Sequence, residues 1–177
     1  MLGMYNCPKG SKGFTLIELL ITIAVISVLA STMMILINPA KILANARNSG
    51  RASDLRQLAN ALDRYYAKFG AYPSTSSVWC GEAASYWASG CAGADWIPGL
   101  TTSGEIKALP SEPRRGESYA PCNNGVYVSY VYYSNGIDYK LVDWCGPENI
   151  SATDKLLDPT RPTYAWAVWS SVTSKGW

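Results

Sequence analysis

Glu18 is the residue near the start of the chain with the clearest chemical potential, because it is the single charge in the apolar run from Phe14 to Ile37. A carboxylate held in mid-membrane costs about 2.5 to 3.5 kcal/mol on insertion scales, so an acidic residue in such a run is a functional-site candidate that needs a cationic partner. The alternative is that Glu18 stays hydrated near the membrane surface, since it lies only four residues from Phe14. The cost of placing a charge in the membrane falls towards the lipid headgroups.

Five cysteines are the second chemically active set. Cys7 precedes the apolar run, and four follow it: Cys80, Cys91, Cys122 and Cys145. Since there is no Cys-x-x-Cys spacing and no histidine to complete a zinc site, the four indicate disulfides formed in an oxidising compartment, the alternative being free buried thiols. Three pairings are open, and loop length alone favours Cys80 with Cys91 and Cys122 with Cys145.

The composition argues against catalysis and against nucleic-acid binding. Histidine is absent, which excludes Ser-His-Asp and Cys-His arrangements, and the glycines form no phosphate-binding loop. Charged residues make up 16% of the chain, the net charge is +2, and Arg114-Arg115 is the only basic doublet, so no cationic stripe is present to follow a phosphate backbone. We expect a protein that is not an enzyme.

The apolar run has the length of a membrane span. Leu19 to Ile37 carries no charge and measures roughly 28 Å as a helix, close to the hydrocarbon thickness of a bilayer. A secretory signal peptide is the alternative, but the run is too long and Asn38-Pro39-Ala40-Lys41 is a poor cleavage site. Basic residues flank both ends, so the disulfide-type cysteines decide the orientation and place the C-terminal part outside the cytoplasm.

The string KGFTLIELL, residues 12–20, resembles the processing site of type IV pilins and of the pseudopilins of type II secretion. The resemblance implies that a membrane aspartyl peptidase cuts after Gly13 and methylates the new N-terminus at Phe14. It continues through Asn38-Pro39, Ala46-Arg47, Ser53-Asp54-Leu55 and Tyr65-Tyr66. Cleavage creates an amine at Phe14, and we expect Glu18 of a neighbouring subunit to neutralise it and so set the register of a filament.

A second helix is predicted beyond Pro39. Apolar residues recur at intervals of three and four, namely Leu55, Leu58, Leu62, Tyr65 and Phe69, as in an amphipathic helix that packs on other structure. Gly70 and Pro73 mark its end. A kink at Pro39 or at Asn48-Ser49-Gly50 is expected, rather than a break into separate helices.

The rest of the chain predicts a small antiparallel sheet. Residues 74–125 show no sustained period and indicate a long loop, whereas 126–133 alternate as a strand, followed by the turn Ser134-Asn135-Gly136, a return strand over 139–144 and a further strand over 164–169. The fold class is α+β, and the resemblance implies the pilin fold, with one long N-terminal helix packed on the sheet. The expected divisions are a leader at 1–13, a transmembrane helix at 14–37, its amphipathic continuation at 38–70 and an extracytoplasmic head at 71–177.

Two further features of the sequence, a group of carboxylates and an abundance of aromatic residues, could form binding sites. The resemblance to major pseudopilins brings calcium into consideration, with five carboxylates in the corresponding region: Asp138, Asp143, Glu148, Asp154 and Asp158. Their spacing does not indicate a calcium-binding loop, so we expect solvated surface carboxylates and no cofactor, with calcium binding as the alternative. The many Trp and Tyr residues are expected to fill the small core and to pack between subunits.

The sequence thus predicts a structural subunit of a type IV pilus-like filament. A pseudopilin of a type II secretion system remains an alternative, and a membrane-anchored binding domain that never polymerises is an alternative of a different class. The expected partners are further pilin subunits, the prepilin peptidase, an inner-membrane assembly platform and membrane lipid before assembly. The expected location is the bacterial inner membrane, and then a periplasmic or cell-surface filament.

Overall fold

The chain forms two compact units, Met1–Ile42 and Leu43–Trp177, which we call the N-terminal and C-terminal units. The computed structural model describes residues 13–83, 91, 93–118, 122 and 127–177, except for the side chains of 35 and 36. Cys7, most of the leader and the first residue of the strand predicted over 126–133 lie outside the described residues. The observed class is α+β, as predicted, with an apolar N-terminal helix and a four-stranded antiparallel sheet.

Helix α1, Leu16–Ile37, forms most of the described N-terminal unit. It contains a stretch, Leu16–Met34, that is long and apolar enough to cross a membrane. Its four hydroxyl side chains, at Thr22, Ser27, Ser31 and Thr32, donate to carbonyl oxygens three or four residues earlier. These bonds satisfy the hydroxyls within the helix, which suits a segment that lies in lipid.

The helix breaks at Asn38, and the expectation of a kink without a break was wrong. Asn38 has φ 43° and ψ 78° in the left-handed region, and a separate helix α2, Pro39–Phe69, begins at the next residue. The proline ring disfavours helical geometry at the preceding position, and asparagine is one of the few residues that tolerates a left-handed backbone. The predicted weak point at Asn48-Ser49-Gly50 lies within continuous helix.

In the C-terminal unit α2 packs on one face of the sheet. Leu55, Leu58 and Leu62 are fully buried against Tyr130 and other strand residues, as the helical period predicted. Tyr65 is half-buried, but Phe69 is 52% exposed, so the buried stripe ends before the last turn. The helix stops where predicted, since Gly70 adopts φ 74° and donates its N–H to the carbonyl of Tyr66.

The sheet has the strand order β1-β2-β3-β4, all antiparallel. Its strands are β1 Cys80–Gly81, β2 Ser129–Ser134, β3 Tyr139–Trp144 and β4 Ala165–Trp169, and a short helix α3, Val172–Lys175, follows. Alternate residues face α2, among them Tyr132, Leu141 and Trp166. The intervening residues form a second small cluster on the opposite face, around Val131, Val142 and Ala167.

The segment predicted as a long loop contributes to the core. Trp96, Ile97 and Leu100 are almost completely buried in the cluster formed by α2 and the sheet. The structure joins Cys80 to Cys91 and Cys122 to Cys145, with Cα atoms 5.3 and 6.0 Å apart. The first disulfide anchors this segment to β1, and the second anchors the end of β3.

Loss of the two disulfides should destabilise the chain unequally. Replacing both cysteines of one pair with serine should lower the free energy of unfolding by about 3 kcal/mol, because the unfolded chain regains loop entropy. The Cys122–Cys145 pair spans 23 residues and the Cys80–Cys91 pair spans 11, so loss of the longer loop should cost roughly 0.6 kcal/mol more. Urea unfolding of the detergent-solubilised chain, followed by tryptophan fluorescence, measures both. A larger loss from the shorter loop would contradict this account.

Candidate assembly site

Glu18 lies in the first turn of α1, where the sequence of the helix start fixes its side chain. Thr15 is the N-cap: its hydroxyl accepts the Glu18 N–H at 3.3 Å. In return the Glu18 carboxylate accepts the Thr15 N–H at 3.4 Å and the Thr15 hydroxyl at 3.3 Å. This reciprocal capping box holds the carboxylate at the positive end of the helix dipole.

No cation meets Glu18 among the described residues. Its partners there are the two neutral donors of Thr15, and Phe14, four residues before Glu18, is 79% exposed. The large apolar side chains of α1 described by the structure are also exposed, from 53% at Val25 to 87% at Leu16. The helix therefore has a hydrophobic surface all round and one carboxylate that is hydrogen-bonded but carries no compensating charge.

The C-terminal unit, by contrast, pairs its buried charges within itself. Arg51 on α2 is fully buried and donates to Glu112 Oε1 through Nε at 2.7 Å and Nη2 at 2.5 Å. Its remaining Nη1 donates to Glu148 at 3.1 Å. Arg47, one turn earlier, donates two hydrogen bonds of 2.6 Å to the same Glu148 carboxylate. These ion pairs fix α2 to the loops that flank the sheet.

Asn48 completes this contact between α2 and the segment after β3. Its amide donates to the Glu148 carbonyl at 2.5 Å, and its side-chain oxygen accepts the Glu148 N–H at 3.0 Å. We call Arg47, Asn48, Arg51, Glu112 and Glu148 the helix clasp. The arginines hold the pKa of the Glu148 carboxyl well below its usual range, at about 2, principally through the hydrogen bonds from Arg47.

Asp143 lies beneath the clasp and is completely buried. Its Oδ2 is 3.5 Å from Arg51 Nε, and neither carboxyl oxygen has a hydrogen-bond partner among the described residues. Burial raises the pKa of this carboxyl well above its usual value, against the opposing effect of Arg51. The carboxyl occupies the space beside Gly146, where an added Cβ would lie 2.1 Å from Oδ1. Glycine is therefore required there by close approach.

A second buried ion pair lies on the other side of the sheet. Lys140, in β3, is fully buried and donates from Nζ to Asp158 Oδ1 at 2.9 Å. Arg161 donates to the other oxygen of Asp158 at 2.9 Å, and its guanidinium carbon lies 4.3 Å from the centre of the Trp144 ring. Hydrogen bonds from Lys140, Thr160 and Arg161 lower the pKa of Asp158 despite its burial.

The five carboxylates considered for calcium do not converge on one site. Asp143, Glu148 and Asp158 lie beside the cations described above. Asp138 accepts a hydrogen bond from the Ser170 hydroxyl, and Asp154 accepts the Ser151 N–H. Among the residues that the structure describes, no group of three or more acidic, histidine or cysteine side chains is placed to hold a metal ion. The expectation of solvated surface carboxylates was wrong for Asp143 and Asp158, which are fully buried.

The helix clasp and the buried Lys140 were not predicted from the sequence. Both involve charged residues in positions that the periodicity made apolar: Arg51 lies four residues before Leu55 on the buried side of α2, and Lys140 lies within a strand. A charge at a core position of a periodic pattern is the available signal. Glu112 lies 61 residues from Arg51, and Asp158 lies 18 residues from Lys140. Neither partner could be identified from the spacing of residues in the sequence.

Removal of Arg51 should destabilise the chain far more than removal of its neighbour Arg47. Arg51→Met leaves buried carboxylates without a cation, which should cost about 3 to 5 kcal/mol. The control, Arg47→Met, removes a side chain that is 34% exposed, so its cost should be at most about 1 kcal/mol. Urea unfolding at pH 5 and pH 8 measures both.

The loss of folding stability caused by Arg51→Met should be greater at pH 8 than at pH 5. Without the guanidinium, the pKa values of the buried Glu112 and Asp143 carboxyls rise further, because the group that lowers them is gone. When folding raises the pKa of an acid, the free energy of unfolding of the protein falls as the pH rises from the unfolded-state pKa of that acid through its folded-state pKa. Equal losses for the two arginine variants would show that Arg51 is not the central cation of the clasp.

Comparisons with known proteins place these features in one family. Residues 8–34 match the prokaryotic N-terminal methylation motif. The chain is 31% identical over 134 residues to the type II secretion system core protein G of Escherichia coli strain K12, which covers 73% of this chain and 84% of that protein. No solved structure matches the chain significantly. The motif and the extent of this similarity show that the chain belongs to the family of type IV pilins and type II secretion pseudopilins.

Proposed function

We propose that this protein is the structural subunit of a type IV pilus-like filament and that it polymerises through α1. Members of its family are structural subunits rather than enzymes. The observation that carries the proposal is Glu18: a single carboxylate, without a cation among the described residues, on an otherwise apolar helix. The proposed mechanism supplies the missing charge from a neighbouring subunit.

Processing creates that charge. Cleavage after Gly13 turns the Phe14 peptide nitrogen into an amine, next to the Thr15 N–H that already donates to Glu18. The methylated amine remains basic and can donate a charge-assisted hydrogen bond to a carboxylate. In a bundle of α1 helices, pairing Phe14 of one subunit with Glu18 of the next neutralises two charges in one apolar environment. The pairing also fixes the axial register, which apolar contacts alone leave undefined.

The C-terminal unit supports this role as an extracytoplasmic head. Its two disulfides are expected to form in an oxidising compartment, and this supports a location beyond the inner membrane, with the leader on the cytoplasmic side. Before assembly, the partner of α1 is membrane lipid. The prepilin peptidase, an inner-membrane assembly platform and further subunits complete the proposed set of partners.

A short periplasmic filament of a type II secretion system is the second candidate function. The specific observation in its favour is the similarity to core protein G of that system. Both candidates use the same helix, the same cleavage site and the same charge pair, and they differ in the machinery that extends the filament. A monomeric membrane anchor is the candidate of a different class. It accounts for the capping of α1 by Glu18, but it supplies no cation to a carboxylate in an apolar helix.

The mature chain should begin at Phe14. N-terminal sequencing and intact mass of the protein from cells should show loss of residues 1–13 and a methyl group on the new amine. Gly13→Leu should leave the uncleaved precursor in the membrane, because a bulky side chain prevents close approach of the backbone to a peptidase. A mature start near Ala40 would instead support a secretory signal peptide and contradict the proposal.

Glu18→Ala should abolish assembly without impairing insertion or folding. Removing the carboxylate also removes its membrane cost, so the variant should insert at least as well as wild type. The amine at Phe14 then loses its partner, and this penalty of about 3 kcal/mol per subunit recurs along the filament. The yield of sheared filaments, divided by total membrane-bound protein, should fall to background while monomer accumulates. Glu18→Gln is the control for shape, and it should also fail because it lacks the charge.

Co-expression distinguishes pairing between subunits from pairing within one. A tagged Glu18→Ala subunit still presents its own amine, so it should enter filaments when wild-type subunits supply Glu18, although it forms none alone. If the charge pair were internal to each subunit, the variant would be excluded from mixed filaments. Polymerisation of the variant alone at the wild-type level would contradict the charge-pair mechanism and favour a hydrated Glu18.

A further inference from the structure

Asp143 is a buried carboxyl group that the packing of the C-terminal unit leaves without a hydrogen bond. Its side chain is fully buried, and neither oxygen has a hydrogen-bond partner among the described residues. The nearest cation is Arg51, whose Nε lies 3.5 Å from Oδ2 and already donates to Glu112 at 2.7 Å. A buried carboxyl of this kind needs a compensating group, and an ion, a water molecule or a proton can supply it.

The charges around Asp143 do not balance. The charged and titratable side chains that face it, or that share its arginine, come from α2, from the end of β1, from β2, from the loop before β2 and from the segment after β3: they are Arg51, Asp54, Glu82, Tyr130, Glu112 and Glu148. Asp143, Glu82 and Glu112 are almost completely buried, and Arg51 is the one cation in this set. Arg115 reaches Glu82 from the surface, at 4.0 Å. With all three carboxyls ionised, three buried negative charges would share one buried positive charge, which is costly in a protein interior.

Hydrogen bonds distinguish Asp143 from the other two buried carboxyls. Glu112 accepts two bonds from the guanidinium of Arg51. Glu82 accepts the backbone N–H groups of Glu112 and Tyr130 at 2.8 and 3.3 Å. Donors of this kind favour the ionised form of a carboxyl, and Asp143 accepts none among the described residues. Of the three carboxyls, Asp143 is therefore the one on which a proton is held most readily.

A metal ion is the other candidate for neutralising this carboxyl, and the surroundings of Asp143 do not suit one. Oδ2 already faces Arg51, while Oδ1 lies against the backbone of Gly146, where an added Cβ would be 2.1 Å from this oxygen. A divalent cation needs several oxygen ligands around it, and the close approach of Gly146 leaves no space for them. A proton needs none.

We propose that Asp143 binds a proton in the folded C-terminal unit, and that loss of this proton as the pH rises opens the helix clasp at the segment after β3. An ionised Asp143 needs water beside Oδ1, and water reaches this oxygen when Gly146 moves away from it. That movement carries Glu148, two residues further on, away from Arg47 and Asn48. The inference goes beyond the proposed function, because it concerns the C-terminal unit of a single chain.

Hydrogen exchange at the Glu148 amide reports this opening. The Glu148 N–H donates to Asn48 Oδ1 at 3.0 Å, so it exchanges when the clasp opens. An opening that releases one proton becomes about tenfold more populated per unit of pH, between the pKa of Asp143 in the open form and its pKa in the closed form. Mass spectrometry of the detergent-solubilised chain measures the protection of the peptide that contains Glu148. After correction for the intrinsic exchange rate, protection should fall about tenfold between pH 6 and pH 7.

Asp143→Asn fixes the neutral form of this side chain, so its protection at Glu148 should be equal at the two pH values. The matched control, Asp95→Asn, changes an exposed carboxylate and should keep the tenfold fall of the wild type. Infrared spectroscopy adds a measurement that needs no variant. The wild type at pH 6 should show the absorption band of a protonated carboxyl group, and this band should disappear as the pH rises.

Three results would overturn the proposal. The first is the same pH dependence of Glu148 protection in wild type and Asp143→Asn. The second is a wild type without the band of a protonated carboxyl group at pH 6. The third is protection that rises with calcium chloride and falls with EDTA, because the compensating group would then be a metal ion. All three measurements are made on the chain before assembly, so the proposed function stands or falls separately.

Discussion

A charge withdrawn from water requires a partner, and this constraint governs both units of the protein. In the C-terminal unit the requirement is met internally: Arg51 lies between Glu112 and Glu148, and Lys140 contacts Asp158. Buried pairs of this kind seldom add net stability over apolar residues, but breaking one leaves a costly buried charge. The arginine on α2 therefore restricts this helix to a single arrangement on its sheet. An apolar surface alone would allow the helix to slip to other positions.

The helix clasp also relates the second disulfide to the position of α2. Cys145, at the end of β3, has a positive φ of 62°, and Gly146 and Pro147 lead directly to Glu148. Cross-linking Cys145 to Cys122 restricts the path of this segment, which must deliver Glu148 to Arg47 and Asn48. Apolar packing accounts for the burial of α2, whereas the segment after β3 accounts for its register. Two kinds of interaction thus cooperate at one boundary of the sheet.

Much of the fold could be predicted from the sequence where one periodicity or one residue type dominates. The apolar length of α1, the stripe of Leu55, Leu58 and Leu62, and the return strand Tyr139–Trp144 all follow from local patterns. Glu18 was found because a charge in an apolar run is conspicuous, although its capping by Thr15 was not anticipated. The helix clasp could not be predicted, because its partners approach only after the chain folds. Phe69 was placed in the core by its period alone, and tertiary packing ends one turn earlier.

The two units differ in how their charges and apolar surfaces are satisfied, and this difference agrees with the proposed role as a filament subunit. Among the described residues, the C-terminal unit neutralises its fully buried Arg51 and Lys140 with acidic partners, so it can fold before any neighbour is present. Helix α1 is not satisfied in this way: its large apolar side chains are exposed, and among the described residues Glu18 has only the neutral donors of Thr15. Lipid can cover the apolar surface but offers no specific partner for the carboxylate. In the proposed filament, a second subunit would supply both an apolar surface and the Phe14 amine, so assembly would provide the cation that Glu18 lacks among the described residues.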